Sequence, residues 1–447
     1  MTRSLRFPAL LLVAALSAAA CGGGGGSPAA PASDGAPASG ATGGPVTSGS
    51  AGTLNVLSLW GGSEEAAFKA VLADFTTKTG WGVNYEADRQ TYSTTLQSRI
   101  TGGNPPDIAI IPGIGFLRRF AKDGSLKKVA DLGVDVAGLS SSYPAGFLAA
   151  GTVDNELYAV PAKYNNKGTM WYRPDVFKTA GVTANPATWD EFKTTLDTLV
   201  GKPGAMALGA KDDWNLTDWF ENIYIRQAGV AAYDKLFSAE GDWADPSVQK
   251  DVDTMLEVIN DKYVVGGIDA AVGRAWTDAI AQVFKPEPEA GVFYEGGFVG
   301  GIATTQTNTD LVIGETIDWF PFPTLGNTDD VTTFGGDVVG ALTDSEGAKQ
   351  FMQYVVTPEA NAVWAGTGAI VSPHTGVETS AYPNELVVRE AESLQKAAEI
   401  RYDGADLLPA GIAGESLGAL LQRAIVPGTT IDWADFQTRV KAAWDAE

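Results

Sequence analysis

The sequence predicts an α/β protein built as two lobes, and two observations carry that prediction. The first is size. A chain of 447 residues exceeds what one hydrophobic core of ordinary dimensions accommodates, so it divides. The second is order. Compact apolar runs alternate with stretches of helical periodicity, which is the pattern of a mainly parallel sheet covered by helices. With 45 % hydrophobic and 19 % charged residues, most of the chain has the apolar content that folding requires.

The elements follow in order. Arg3 and Arg6 precede Phe7 to Ala20, an almost wholly apolar run. At that length it falls short of the ~20 residues of a membrane span and matches the core of a signal peptide, assigned to 1–20. Ala18-Ala19-Ala20 lead into Cys21. This resembles a bacterial lipobox, with Ala18 where Leu is commoner. It implies lipidation of Cys21, the alternative being an ordinary signal peptide with a chance cysteine. Gly22 to Gly52 contain only Gly, Ala, Ser, Thr and Pro apart from Asp34 and Val46. Such a segment buries nothing, so 21–52 is expected to be a flexible tether with a reach of about 30 Å. These features together predict an exported protein anchored to the outer face of the cell membrane. Nothing else in the sequence is apolar enough to span a bilayer, so lipid would be the only anchor.

In the body of the chain, Leu54 to Leu59 reads as a buried strand. A helix follows, with Ser63 as its cap, Glu64 and Glu65 in the first turn, and Phe68, Val71, Leu72 and Phe75 at helical spacing up to Gly80. Val83-Asn84-Tyr85 is a second strand. A helix through Leu96 and Ile100 stops at Gly102-Gly103, and Asp107 to Ile111 is a third strand. Beyond residue 160, Thr188-Trp189-Asp190-Glu191 forms a capping box for a helix through Phe192, Leu196 and Leu199. Val248 to Ile259 marks a helix after Pro246, and Phe351, Met352 and Val355 mark another. Thr357-Pro358-Glu359 opens one more with Pro at its first position, and Trp433, Phe436, Val440 and Trp444 lie on a closing amphipathic helix.

Composition excludes several classes of function. The formal net charge of −23 disfavours nucleic acid and anionic membranes, both of which select basic patches. Its simplest reading is solubility of an exported protein. One Cys and one His cannot build a disulfide framework or a Cys/His zinc site. A Ser-His-Asp triad would have to use His374, which lies in the loop-like Val371-Ser372-Pro373-His374. Any catalysis would therefore rest on carboxylates.

Six segments in register resemble extracellular solute-binding proteins of family 1. They are Leu59-Trp60-Gly61-Gly62, Gly103-Asn104-Pro105-Pro106-Asp107-Ile108, Leu157-Tyr158-Ala159-Val160-Pro161, Met170 to Phe177, Thr188 to Phe192, and Thr357-Pro358-Glu359-Ala360-Asn361. Phe334-Gly335-Gly336-Asp337 and Arg401 to Pro409 are similar to the α-glucoside-binding branch. The resemblance covers about 54 to 445. It implies a periplasmic-binding-protein-like fold, with two α/β lobes joined by a hinge around an interlobe ligand cleft. The lobes would hold 53–162 with 319–375, and 163–318 with 376–447. It implies a carbohydrate ligand, ABC permease subunits as membrane partners, a monomer, no catalysis and no cofactor.

A sugar has apolar C–H faces and a rim of hydroxyls, so its site needs aromatic plates and planar polar groups. Trp60, just past a buried strand and beside Gly61, is either a ligand contact or core. Ligands of open α/β sheets bind beyond strand carboxyl ends. Glu64 either accepts sugar hydroxyls or only favours the helix start. Arg89, at the end of the second strand, either enters the cleft or stays outside it. Gly113 after the third strand allows close backbone approach, or is a turn. Lys163 at the crossover donates to a hydroxyl, or is a solvated hinge residue. Trp214 and Trp276, among polar neighbours, read as platforms, while Trp219 reads as packed. In Phe293 to Phe298 the resemblance implies a small-residue turn followed by a stacking aromatic: Glu295 for hydroxyls, Gly296 and Gly297 for room, Phe298 for stacking. Gly336 and Asp337 set a carboxylate beside flexible backbone, or make a capped turn. Arg401 and Asp403 form either a hydroxyl-reading pair or a structural salt bridge.

Two competing functions remain at this stage. A secreted glycoside hydrolase would also use aromatics and paired carboxylates, ~5–10 Å apart. A binder on the same fold for a non-sugar solute such as a polyamine would use carboxylates and cation–π contacts.

Overall fold

The computed structural model describes residues 51–89, 91–326 and 330–447. The expected signal peptide, Cys21 and all but the last two residues of the expected tether lie outside the described residues.

The strands, in chain order, are β1 (Gly52–Ser58), β2 (Trp81–Ala87), β3 (Ile108–Ile111), β4 (Thr152–Val153), β5 (Glu156–Leu157), β6 (Ala159–Pro161) and β7 (Asn165–Asn166). They continue as β8 (Thr169–Tyr172), β9 (Met206–Ala207), β10 (Val292–Tyr294), β11 (Asp318–Pro321), β12 (Val331–Gly335), β13 (Val338–Ala341) and β14 (Glu399–Tyr402). The first lobe is organised on the sheet β2-β1-β3-β13-β6 and the second on β11-β8-β10-β9. Neither sheet is mainly parallel. β1 runs parallel to β2 and β3, but β13 is antiparallel to both β3 and β6. In the second sheet β8 is antiparallel to β10 and β11, with β9 parallel to β10. The expectation of parallel sheets came from strand–helix alternation alone. The odd members, β13 and β8, are the strands on which the chain arrives in each sheet after a crossing.

Local sequence explains the first layer. Leu54, Val56 and Leu57 are buried in β1, and the helix Ser63–Thr79 buries Ala67, Phe68, Val71, Leu72 and Phe75 on the sheet. Phe68 is edge-on to Trp60 at 5.1 Å and to Phe351 at 6.4 Å. Burying such a ring stabilises by roughly 1.5–3 kcal/mol. Ser63 does not cap this helix: Gly62 occupies the N-cap at φ 64°, and no side chain bonds the first turn. Glycine takes that backbone conformation without a Cβ penalty. The capping box Thr188–Glu191 forms as the sequence predicts.

The second core gathers Trp219, Phe220, Trp243, Phe320, Phe322, Leu421 and Phe436 among others. Trp219 is packed, 4.5 Å from Tyr294 between ring centroids. Phe320, Phe322, Leu325 and Val331 belong to this core, and β11 pairs in its sheet. The return to the first lobe therefore lies at Gly335–Asp337, between β12 and β13, and not at 319.

The two crossings run side by side. β6 leads through Ala162-Lys163-Tyr164 to β7, and β12 leads through Gly336-Asp337 to β13. Ala162 N–H donates to Asp337 O at 3.0 Å. β14 pairs parallel with β12, which pairs antiparallel with β7. The rings of Phe147, Tyr164, Phe334 and Tyr402 pack against these crossing strands, with Phe147 and Tyr164 centroids 4.1 Å apart.

Candidate functional site in the interlobe cleft

The crossings form the floor of a cavity of about 540 Å³ between the lobes. On the first-lobe side, β1 ends at Ser58, whose Oγ accepts from Trp60 N–H at 3.0 Å, while Tyr85 OH donates to Trp60 O at 2.8 Å. These bonds fix Trp60. It is only 1 % exposed and its ring sits edge-on to Trp364 at 5.4 Å, so the ring is packed in the core. Its indole N–H donates to Asp337 Oδ2 at 2.6 Å on the cavity floor. Lys163 Nζ lies 3.8 Å from that same oxygen and 4.9 Å from the Trp60 ring centroid. It also pairs with Glu64, which in turn pairs with Arg89. Burial pushes the Glu64 carboxyl up, but Lys163 and Arg89 outweigh it and hold Glu64 below its ordinary value. At Asp337 burial prevails over Lys163, and the carboxyl is held above its ordinary value.

The second-lobe wall is aromatic. Trp214, Trp276 and Phe298 each stand first in a helix: Trp214–Gln227, Trp276–Phe284 and Phe298–Ile302. At that position a side chain projects past the open end of the helix, beside backbone N–H groups that have no partner within it. The three rings meet edge to face, with centroids 5.7, 6.1 and 5.4 Å apart. Below them Lys167 Nζ is 2.6 Å from Asp218 Oδ2, 3.3 Å from Asp403 Oδ2 and 5.1 Å from the Trp214 centroid. Burial alone would lower Lys167, but Asp218, Asp403 and Glu295 raise it, so the ammonium stays charged. Arg89 reaches across the cleft to within 6.0 Å of the Trp276 ring. Gly113, at φ 74°, faces Asp406. The result is an aromatic wall facing a floor whose cations are matched by carboxylates.

A family model of bacterial extracellular solute-binding proteins matches residues 61–362. The chain belongs to this family. Over 366 residues the solute-binding protein is 28 % identical to the osmoprotective compounds-binding protein GgtB of Synechocystis sp. (strain ATCC 27184 / PCC 6803 / Kazusa), which covers 80 % of this chain and 85 % of that one. It is 28 % identical over 414 residues to the alpha-glucosides-binding periplasmic protein AglE of Rhizobium meliloti (strain 1021), covering 88 % and 87 %. Among solved structures, the bacterial solute receptor AcbH, with an exclusive preference for β-D-galactopyranose, matches at TM-score 0.74 and 22 % identity. That match covers 88 % of this chain and 99 % of that one, and the likeness is one of fold.

The cleft of this solute-binding protein brings together Trp60, Glu64, Arg89, Gly113, Lys163, Trp214, Trp276, Phe298, Gly336, Asp337 and Asp403. Four other residues fall elsewhere. Gly61 sits in the turn before the first helix and is absent from the cavity lining. Glu295 is fully buried behind the wall, accepting from Asn215 Nδ2 at 2.6 Å and from Gly296 N–H at 3.2 Å. Gly297 makes room for the buried Glu390 carboxylate and not for a ligand, since a methyl there would overlap it. Arg401 does not pair with Asp403. It points to the outer surface, bonding Asp234 Oδ1 at 2.6 Å and Glu399 Oε2 at 2.8 Å, while Asp403 lies past the end of β14, caps the helix Gly404–Leu407 and faces Lys167.

Among the lining residues that escaped the sequence reading are Lys167 and Asp406. Lys167 follows Asn165-Asn166, too short a strand to carry a period. Asp406 lies three residues after Asp403, one turn along the helix Gly404–Leu407. That spacing puts both carboxylates on one side and was a usable signal.

Proposed function

We propose that this protein is the substrate-binding component of an ABC importer, capturing a neutral carbohydrate of the α-glucoside class or another oligosaccharide between its lobes and delivering it to a membrane permease. The observation that carries the reading is the pairing of a wall of three aromatic rings with a floor whose cations are already matched by carboxylates. Rings suit the C–H face of a sugar, and oriented polar groups suit its hydroxyls. An anionic ligand would have to displace Lys163, Lys167 or Arg89 from their carboxylates. The name of one relative, an alpha-glucosides-binding protein, supports the same class. We read the lobes as 53–162 with about 337–375, and 163–336 with 376–447, and Cys21 as the lipid anchor that keeps the protein at the membrane. No chemical turnover is part of this function.

The test is a thermal-shift panel on the full chain with mono-, di- and oligosaccharides, spermidine and phosphate. A ligand at 100 times its Kd adds ~2.7 kcal/mol. Stabilisation by α-glucosides alone supports the proposal. Stabilisation by spermidine alone would replace the sugar with a polyamine, and hydrolysis of a nitrophenyl glycoside by purified protein would overturn the binding-only role. A Cys21→Ser chain that still fractionates with membranes would refute the lipid anchor.

A further inference from the structure

The helix Ile114–Lys122 belongs to the first lobe, where Ile114, Leu117 and Phe120 are buried beside β1 and β3. Arg118 and Lys122, one turn apart, project away from that core. Arg118 Nε donates to Glu447 Oε2 at 2.6 Å, its Nη2 donates to Leu407 O at 2.8 Å, and its guanidinium carbon lies 4.6 Å from the Trp444 ring centroid. Lys122 Nζ donates to Glu447 O at 2.5 Å. Trp444 is on the helix Trp433–Ala446, whose Trp433, Phe436 and Val440 are in the second core. Leu407 leads into Leu408, Pro409 and Ala410, which line the cavity rim, and this segment is held to the second lobe by Gly404 and Ala405 N–H donating to Glu221 at 2.7 and 2.8 Å. Among the described residues, every hydrogen bond and ion pair of the Arg118 side chain crosses to the other lobe. A second observation lies one turn earlier on the same helix face. A methyl on Gly115 would come within 2.6 Å of Ala410 N and would also strike Leu408 O, so glycine is what lets the two backbones meet.

We infer that the lobes are drawn together at the rim of the ligand cleft by a clasp in which Arg118 is the positioning residue and Gly115 sets the distance of closest approach. The clasp uses charge-assisted bonds and a cation–π contact, and those of Arg118 are part-buried, where solvent screens them poorly. Its bonds exist only while the lobes touch, so they contribute to the closed arrangement and nothing to either lobe alone. Affinity scales with the fraction of molecules competent to close; this consequence for ligand affinity rests on the capture function proposed above. The lobe-to-lobe contact itself does not.

Small-angle scattering of the full chain without ligand tests the clasp, comparing wild type, Arg118→Gln and Gly115→Ala. Both variants are expected to shift to a larger radius of gyration, Gly115→Ala the more, with far-ultraviolet circular dichroism unchanged. With maltose as the probe, Arg118→Gln should dissociate several-fold faster and Gly115→Ala about tenfold or more. Radii equal to wild type in both variants would overturn the clasp, including the case in which all three are extended. A radius shift in a wild-type background that ignores every sugar would leave the clasp standing and remove only the carbohydrate assignment. Sugar binding with unchanged radii would do the reverse.

Discussion

Trp214 is the half-buried ring of the aromatic wall, whereas Trp276 is 9 % exposed and wedged beneath it. Replacing Trp214 with Ala removes a stacking face with little loss of core, so ligand affinity should fall about ten- to a hundredfold, by loss of aromatic contact and buried area. Titration calorimetry reads this directly, and an unchanged Kd would put the ligand elsewhere in the cleft. Glu390 makes a prediction about pH. Asn166 N–H donates to its Oε1 at 2.9 Å, and burial pushes its carboxyl from an ordinary 4.5 up to about 8. Between those values the folded protein holds a proton that the unfolded chain releases, so this group costs stability progressively as pH rises through that window. Glu390→Gln keeps the acceptor and cannot ionise. It should be more stable than wild type at pH 9 by a few kcal/mol, at ~1.4 kcal/mol per pH unit, and nearly equal at pH 5. Parallel urea titrations at the two pH values check it, and a constant difference between the two proteins would remove Glu390 as the cause. Both residues show what single positions reveal. Trp214 was legible because a large ring among polar neighbours is out of place, whereas Glu390 looks like any helical glutamate until packing buries it.

The helix Trp189–Leu199 shows how far elements could be read from sequence. Thr188 Oγ accepts from Glu191 N–H at 3.3 Å, and Glu191 returns a bond to Thr188 N–H at 3.2 Å. Thr188→Ala should cost about 1 kcal/mol of stability. It should leave ligand affinity unchanged, because the cap packs beside Thr324 and not on the cleft. A lowered urea midpoint with an unaltered binding isotherm is the expected pair of results; a change in affinity would mean that this helix is coupled to the cleft. The first strands and helices were equally legible, since Leu54 to Ile111 repeat at the periods of buried strand and amphipathic helix. The crossing elements were not. β7 has two residues and β12 pairs with strands far away in sequence. A period needs more length than that, and partners distant in sequence leave no local trace. Arg401 failed for a related reason: β14 became a strand only by pairing with β12, and it ends at Tyr402, so Asp403 turns away from Arg401 as a helix cap.

At the scale of the whole molecule, the chain is interleaved. It leaves the first lobe at Ala162–Tyr164, returns at Gly335–Asp337, and contributes residues near its end to the second core. The ring group of Phe147, Tyr164, Phe334 and Tyr402 packs across both passages. Neither lobe is a continuous segment, so unfolding one would pull strands out of the other and expose this shared packing. Separate lobes would be expected to melt separately, as multidomain proteins commonly do. Here the interleaving predicts one calorimetric transition, with calorimetric and van't Hoff enthalpies nearly equal. A bound solute that touches Asp337 on the floor and Trp214 on the wall should move that single transition upward as a unit. At 100 times its Kd it adds ~2.7 kcal/mol to the whole molecule. Two resolved transitions, with ligand moving only one of them, would mean that the shared ring packing does not couple the lobes and that the solute grips one lobe alone.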